Sequence, residues 1–407
     1  MNALLRSVVP VAALVSLAAC ARTSPTENNP PATSASGPVA RTTMTSSSPA
    51  AASASAPSTL FPASALQEVI RLPNALTNGV TVSPEGRRFL TLARQPGQEA
   101  VPQVAEHVDG ALRPYPDATW NAWKQGRGDA ARGWVRANSI RFGPDGLLWV
   151  VDFGTNDPQN EKVETHGAKL VGIDTATNAV VKTFTFDKVI DPLSAVDDVR
   201  FHGRFAFVSD AGRPGLIVLD MTSGQMWRAL DKATPSTAQK PLRAEGHEVR
   251  NPQDKPIYFH ADQLEVSPDG ETLYYMPACG PLSAIETRHL EDARMPDAER
   301  IKHVRLFANN PTAGGTAIDA AGNVYASDVD RNAVLRITPS GQISTLVQDP
   351  RLVWVDAMWI TPDGKLWMPA SQMSRTVAFN GGKNAVVYPV VVYTLDIGQK
   401  PSPADHR

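Results

Sequence analysis

The chain has 407 residues, 39 Lys and Arg against 41 Asp and Glu, and a formal net charge of −2. Near-neutrality excludes a surface built to hold a polyanion, so nucleic acid is not an expected partner. With only two cysteines, Cys20 and Cys279, the chain is not a disulfide-stapled scaffold.

Residues 1–20 read as a lipoprotein signal. Arg6 is the only charged side chain of the leading stretch, Val8 to Leu17 is apolar, and Leu17-Ala18-Ala19-Cys20 has the form of a bacterial lipobox. The apolar run is shorter than the ~20 residues that cross a bilayer. Cys20 is therefore the expected lipidation site, and the membrane is met only through that anchor. Ala21, in place of Asp, favours the outer membrane, facing the periplasm or the cell surface. An ordinary cleaved signal would make the protein secreted instead. Residues 21–60 are almost wholly Ala, Ser, Thr and Pro, too poor in apolar surface to offset their chain entropy, and read as a disordered tether. Residues 61–400 form the expected folded domain, and 401–407 a flexible tail.

A domain of about 340 residues exceeds the usual single core unless it repeats. One hairpin pattern recurs six times: "TNGVTVSPEGRRFLTLA" from Thr77, "ANSIRFGPDGLLWVVDFG" from Ala137, "VDDVRFHGRFAFVSDAG" from Val196, "HADQLEVSPDGETLYY" from His260, "GGTAIDAAGNVYASDVD" from Gly314 and "VDAMWITPDGKLWMPAS" from Val355. Each has a short apolar alternation, a Gly-containing turn and a second strand with one aromatic: Phe89, Trp149, Phe207, Tyr274, Tyr325 or Trp367. Further strand-like runs lie between them, such as "AKLVGIDTATNAVVKTFTF" and "AVVYPVVVYTLDI"; "LSAIETRHLEDARM" has room for a helical turn in a loop. Two hairpins per repeat make a four-stranded sheet, so the expected fold is all-β, a six-bladed β-propeller around a central channel. The aromatics are expected to pack between blades.

The first strand of each blade lines the channel, and its first residue lies at the mouth. Aligning the hairpins on their turns places Asn78, Asn138, Asp197, Asp262, Gly314 and Asp356 there, 42 to 65 residues apart. Asx residues also favour strand starts for local backbone reasons, but five at one repeat position make a ring of oxygen donors. Such a ring suits a small-molecule ligand, or a divalent metal (Ca²⁺, Mg²⁺ or Zn²⁺) held by Asn138, Asp197, Asp262 and Asp356. Asp197, Asp262 and Asp356 are also the candidates for acid–base work. His260 and Trp354, each two residues before a ring acid, are expected beside the ligand. Asp152, Asp210 and Asp328 end second strands and read as turn caps. Cys279 reads as a small buried residue.

Several blocks resemble the Yellow and major royal jelly proteins, in a bacterial lipoprotein version. They are "TNGVTVSPEGRRFLTLAR" followed by "LRPYPDATWNAW", then "ANSIRFGPDGLLWVVDFG", "AFVSDAGRPGLIVLDMTSGQMWR" and "LEVSPDGETLYYMPACGPLSAIET". The resemblance implies a six-bladed propeller. It also implies binding of biogenic amines in the channel or dopachrome conversion, a tautomerase-like isomerisation. A more distant resemblance to the senescence-marker-protein/gluconolactonase family implies a metal-dependent lactone or ester hydrolase. There Asn138 and Asp197, with Asp262 or Asp356, would hold the ion; Asn78 stands where that family has a Glu.

Overall fold

The computed structural model describes residues 59–124, 127–155 and 163–404. The signal 1–20 with Cys20, and all but the end of the tether, lie outside them.

The hairpins are where the repeats place them. Six four-stranded antiparallel sheets form, with inner strands Thr77–Val82, Ala137–Phe142, Val196–His202, Ala261–Val266, Thr316–Ile318 and Trp359–Ile360. We number the blades one to six in that order. Inner strands of adjacent blades touch, and the ring closes where Gly79 of blade one bridges Ala357 of blade six. The apolar faces are buried between blades. Phe89 meets Phe142 of the next blade at 5.9 Å, and Trp149 meets Phe201 at 5.7 Å. Phe207, Tyr274, Tyr325 and Trp367 are likewise buried, so the aromatic positions serve packing.

Blade six departs from the sequence reading. Of "AVVYPVVVYTLDI" only Val390–Asp396 is a strand, and the fourth strand comes from the other end of the folded region: Gln67–Leu72 pairs with Val390–Asp396. This completes the four strands of blade six and ties the two ends of the domain together. In blade four, "LSAIE" is the third strand, Leu282–Glu286, and the helical turn Thr287–Glu291 follows it. The tail is a correction: Pro401 bridges Asp319, Ser402 N donates to Ile318 O at 3.3 Å, and Ser402 is buried. Residues 401–404 are therefore seated, and 405–407 lie outside the described residues.

Four inner strands break register at their first residues: between Thr77 and Gly79, Ala137 and Ser139, Val196 and Val199, and Ala261 and Leu264. These are bulges, and the residue inside a bulge is released from the ladder and re-aimed. Asn78, Asn138, Asp197 and Asp262 occupy them.

Candidate functional site

The released residues meet over the channel. Asn78, Asn138, Asp197, Asp262, Gly314 and Asp356 line one cavity of about 500 Å³. Asn78 Nδ2 donates to Asn138 Oδ1 at 2.8 Å, and Asn138 Nδ2 donates to Asp197 Oδ1 at 2.7 Å. Asp356 Oδ2 accepts from Trp354 Nε1 at 3.1 Å and its Oδ1 from Ala357 N at 2.9 Å. Blade five carries Gly for a steric reason. A Cβ on Gly314 would stand 2.8 Å from Trp354 Nε1, and one on Gly315 2.4 Å from the Asp356 carbonyl, so two glycines let blade six's leading loop cross.

The carboxylates repel one another. Burial, then the charges of Asp262, Asp198 and Asp356, lift Asp197 well above the ordinary carboxylate range. Burial and Asp356 lift Asp262 in the same way. Burial pushes Asp356 up to about 8, against the opposing bonds from Ala357 N and Trp354 Nε1. Among the described residues no cationic side chain acts on Asp262 or Asp356. The layer beneath is different. Arg200 holds Glu265 through two bonds of 2.9 and 2.7 Å and reaches Asp198 at 2.7 Å. Burial works against the Asp198 charge, but Arg200 and Arg141 outweigh it and hold this carboxyl low. The lower layer is compensated; the ring is not.

Most of the walls come from outside the repeats: Trp354, Phe259, Phe379, Met373, Arg94 and Arg136 line the cavity, joined by Phe153 from the second hairpin. Phe379 meets Phe259 at 5.8 Å and Trp354 at 6.0 Å. Two crossing loops fix this wall: Arg375 grips Glu245 at 2.6 and 3.1 Å, and Gly381 N donates to Arg250 O at 2.9 Å. Trp354 has φ 50°, a left-handed conformation that a bulky side chain adopts only when its surroundings enforce it, and such strain gathers at functional sites.

Not every expected residue is part of this cavity. His260 is not among its lining residues; its Nδ1 accepts from Ala238 N at 3.1 Å. Asp152 and Asp210 cap the loops that lead into inner strands, accepting from Val135 N and Ala195 N and pairing with Lys169 and Arg228. Among the described residues no three His, Cys, Asp or Glu are placed to hold an ion, and Asn138, which was expected to join Asp197, Asp262 and Asp356 around a metal, bonds through its amide to Asn78 and Asp197. The sequence reading missed Asp198, Arg200 and Glu265. Their signal was the polar alternation Asp198/Arg200 and Gln263/Glu265 within strands that should be apolar.

A family model described as Major royal jelly protein matches residues 139–402. The chain belongs to the major royal jelly protein family. No curated protein matches it by sequence. Solved structures similar to this family member include regucalcin, a calcium-binding protein of Agrobacterium tumefaciens, at 14% identity over 86% of this chain and 98% of that one, TM-score 0.51. A luciferin-regenerating enzyme is similar at 11% identity over 83% and 96%, TM-score 0.50. A gluconolactonase of Xanthomonas campestris follows at 13% identity over 82% and 89%, TM-score 0.49. At such identities the likeness is one of fold, and the chemistry of this royal jelly family propeller rests on its own residues.

Proposed function

We propose that this propeller is a receptor for a small organic cation, held with its charge on Asp197, Asp262 and Asp356 and its apolar body against Trp354, Phe259 and Phe379. The observation that carries the reading is the uncompensated acidic ring at the floor of a cavity of ligand size. An ammonium group would supply the missing counter-charge, and the aromatic faces suit it through cation–π contact. Because the ring carboxyls hold protons above the ordinary range, binding a cation releases protons and tightens as pH rises toward 8. The lipobox at Cys20 and the Ala/Ser/Thr/Pro tether support an extracytoplasmic position on a lipid anchor.

Titration calorimetry of the full chain at pH 8 with phenethylamine and with its neutral analogue 2-phenylethanol tests the proposal. The amine should bind and the alcohol should not, and Asp262→Asn should weaken the amine by at least about tenfold. Equal binding of both compounds, or no binding of the amine, would refute it.

A further inference from the structure

The two amides of the ring point one way around it. Asn78 Nδ2 donates to Asn138 Oδ1 at 2.8 Å, and Asn138 Nδ2 donates on to Asp197 Oδ1 at 2.7 Å. An ionised carboxylate only accepts, so Asp197, as counter-charge to a bound cation, dictates both orientations. Turning Asn138 over would set its oxygen against the Asp197 carboxylate, and turning Asn78 alone would set two amide oxygens face to face. The group left over is Asn78 Oδ1. It is buried without a hydrogen-bond partner, and Asn78, which lines the main cavity, is only 9% exposed. Folded proteins rarely leave such an acceptor unpaired.

This acceptor lies beside the acids. Ala357 N donates both to the Asn78 backbone oxygen at 3.1 Å and to Asp356 Oδ1 at 2.9 Å, so blades one and six present these two residues side by side. On the other side only the Asn138 amide separates Asn78 from Asp197. A donor that reaches Asn78 Oδ1 is therefore carried close to the cation that the carboxylates hold. The charge itself is drawn to the carboxylates, and a neutral amide oxygen is matched by a neutral donor. A hydroxyl is the smallest such donor that a carbon next to the ammonium-bearing one can carry.

We infer that Asn78 Oδ1 accepts a hydrogen bond from a hydroxyl group of the ligand, and that the ligand is a vicinal amino alcohol. This rests on the cation-receptor reading and narrows it. A site that accepts a hydroxyl proton rejects the analogue lacking that hydroxyl, because the acceptor then stays buried and unpaired under the ligand.

The test is titration calorimetry on the full chain at pH 8 with three compounds. They are phenethylamine, 2-amino-1-phenylethanol, which adds a hydroxyl on the carbon next to the one bearing nitrogen, and 2-methoxy-2-phenylethylamine, in which that hydroxyl is methylated. The two chiral compounds are used as matched single enantiomers. One enantiomer of the amino alcohol should bind at least about tenfold more tightly than phenethylamine and than its own ether. In Asn78→Leu, which has nearly the same volume and no acceptor, that ratio should fall to about one. In Asn78→Asp, which keeps an acceptor oxygen at this place, the preference should persist, with melting curves showing that each variant is folded. If neither enantiomer outbinds phenethylamine, if the ether binds as tightly, or if the preference survives in Asn78→Leu, the hydroxyl subsite is refuted while the cation receptor stands. If none of the three compounds binds, both are refuted.

Discussion

Replacing Asp356 by Asn should reverse the sign of its effect on stability between pH 5 and pH 8. The unfolded carboxyl loses its proton near 3.8 and the folded one near 8. Between those values the unfolded state binds fewer protons, so the stability held below pH 4 is progressively lost as pH rises through 8. Four units at about 1.4 kcal/mol each set a ceiling of about 6 kcal/mol at pH 8. The mouth is partly open to water, so about 3 kcal/mol is the expected charge penalty. Asn removes that penalty but has one acceptor oxygen, so either Trp354 Nε1 or Ala357 N loses its partner, a cost of about 1–2 kcal/mol. At pH 5 the charge penalty is only about 1 kcal/mol and the lost bond wins or balances it. Urea unfolding of the full chain at pH 5, 6.5 and 8 should therefore show the variant no more stable than wild type at the lowest pH and more stable at the highest. A difference independent of pH would refute the placement of Asp356 in an uncompensated ring.

Arg200→Met should destabilise the domain by about 3–5 kcal/mol in the same assay, because it strands Glu265 and leaves Asp198 only Arg141, in a layer where Arg200 and Glu265 are each 1% exposed. Adding Glu265→Gln should recover part of that loss. Ile70→Ala on the closing strand, where Ile70 is 1% exposed, should cost about 2–5 kcal/mol and show in the urea midpoint. Dialysis against EDTA should leave the melting temperature unchanged, since among the described residues no three His, Cys, Asp or Glu are placed to hold an ion whose loss would shift the folding equilibrium.

What was legible in the sequence was what repeats. Six alternating hairpins with turn glycines give the blade count, and alignment on those turns brings Asn78, Asn138, Asp197, Asp262, Gly314 and Asp356 to one place. The bulges that release four of them were not legible, because a bulge is a property of the pairing and leaves no mark on either strand alone. The closing strand "QEVIRL" reads as one isolated short strand, since its partner lies at the opposite end of the domain. The cavity walls escaped for a similar reason. Phe259 and Phe379 lie in loops that belong to no repeat, and only the tertiary contacts, Arg375 on Glu245 among them, bring them together. His260 shows the converse. Its proximity to Asp262 in sequence placed it beside the ring, but its ring nitrogen is held by Ala238 N away from the cavity lining. The raised carboxyl pKa values follow from burial and mutual repulsion, which spacing along the chain does not encode.

The most direct test of the receptor reading is a crystal structure of the protein grown with phenethylamine at pH 8. The account predicts density for the amine in the channel mouth, its nitrogen within hydrogen-bond distance of carboxylate oxygens of Asp197, Asp262 or Asp356 and its ring against Trp354, Phe259 or Phe379. An ordered divalent ion on the ring in place of the amine, or amine density confined to other surfaces, would contradict it.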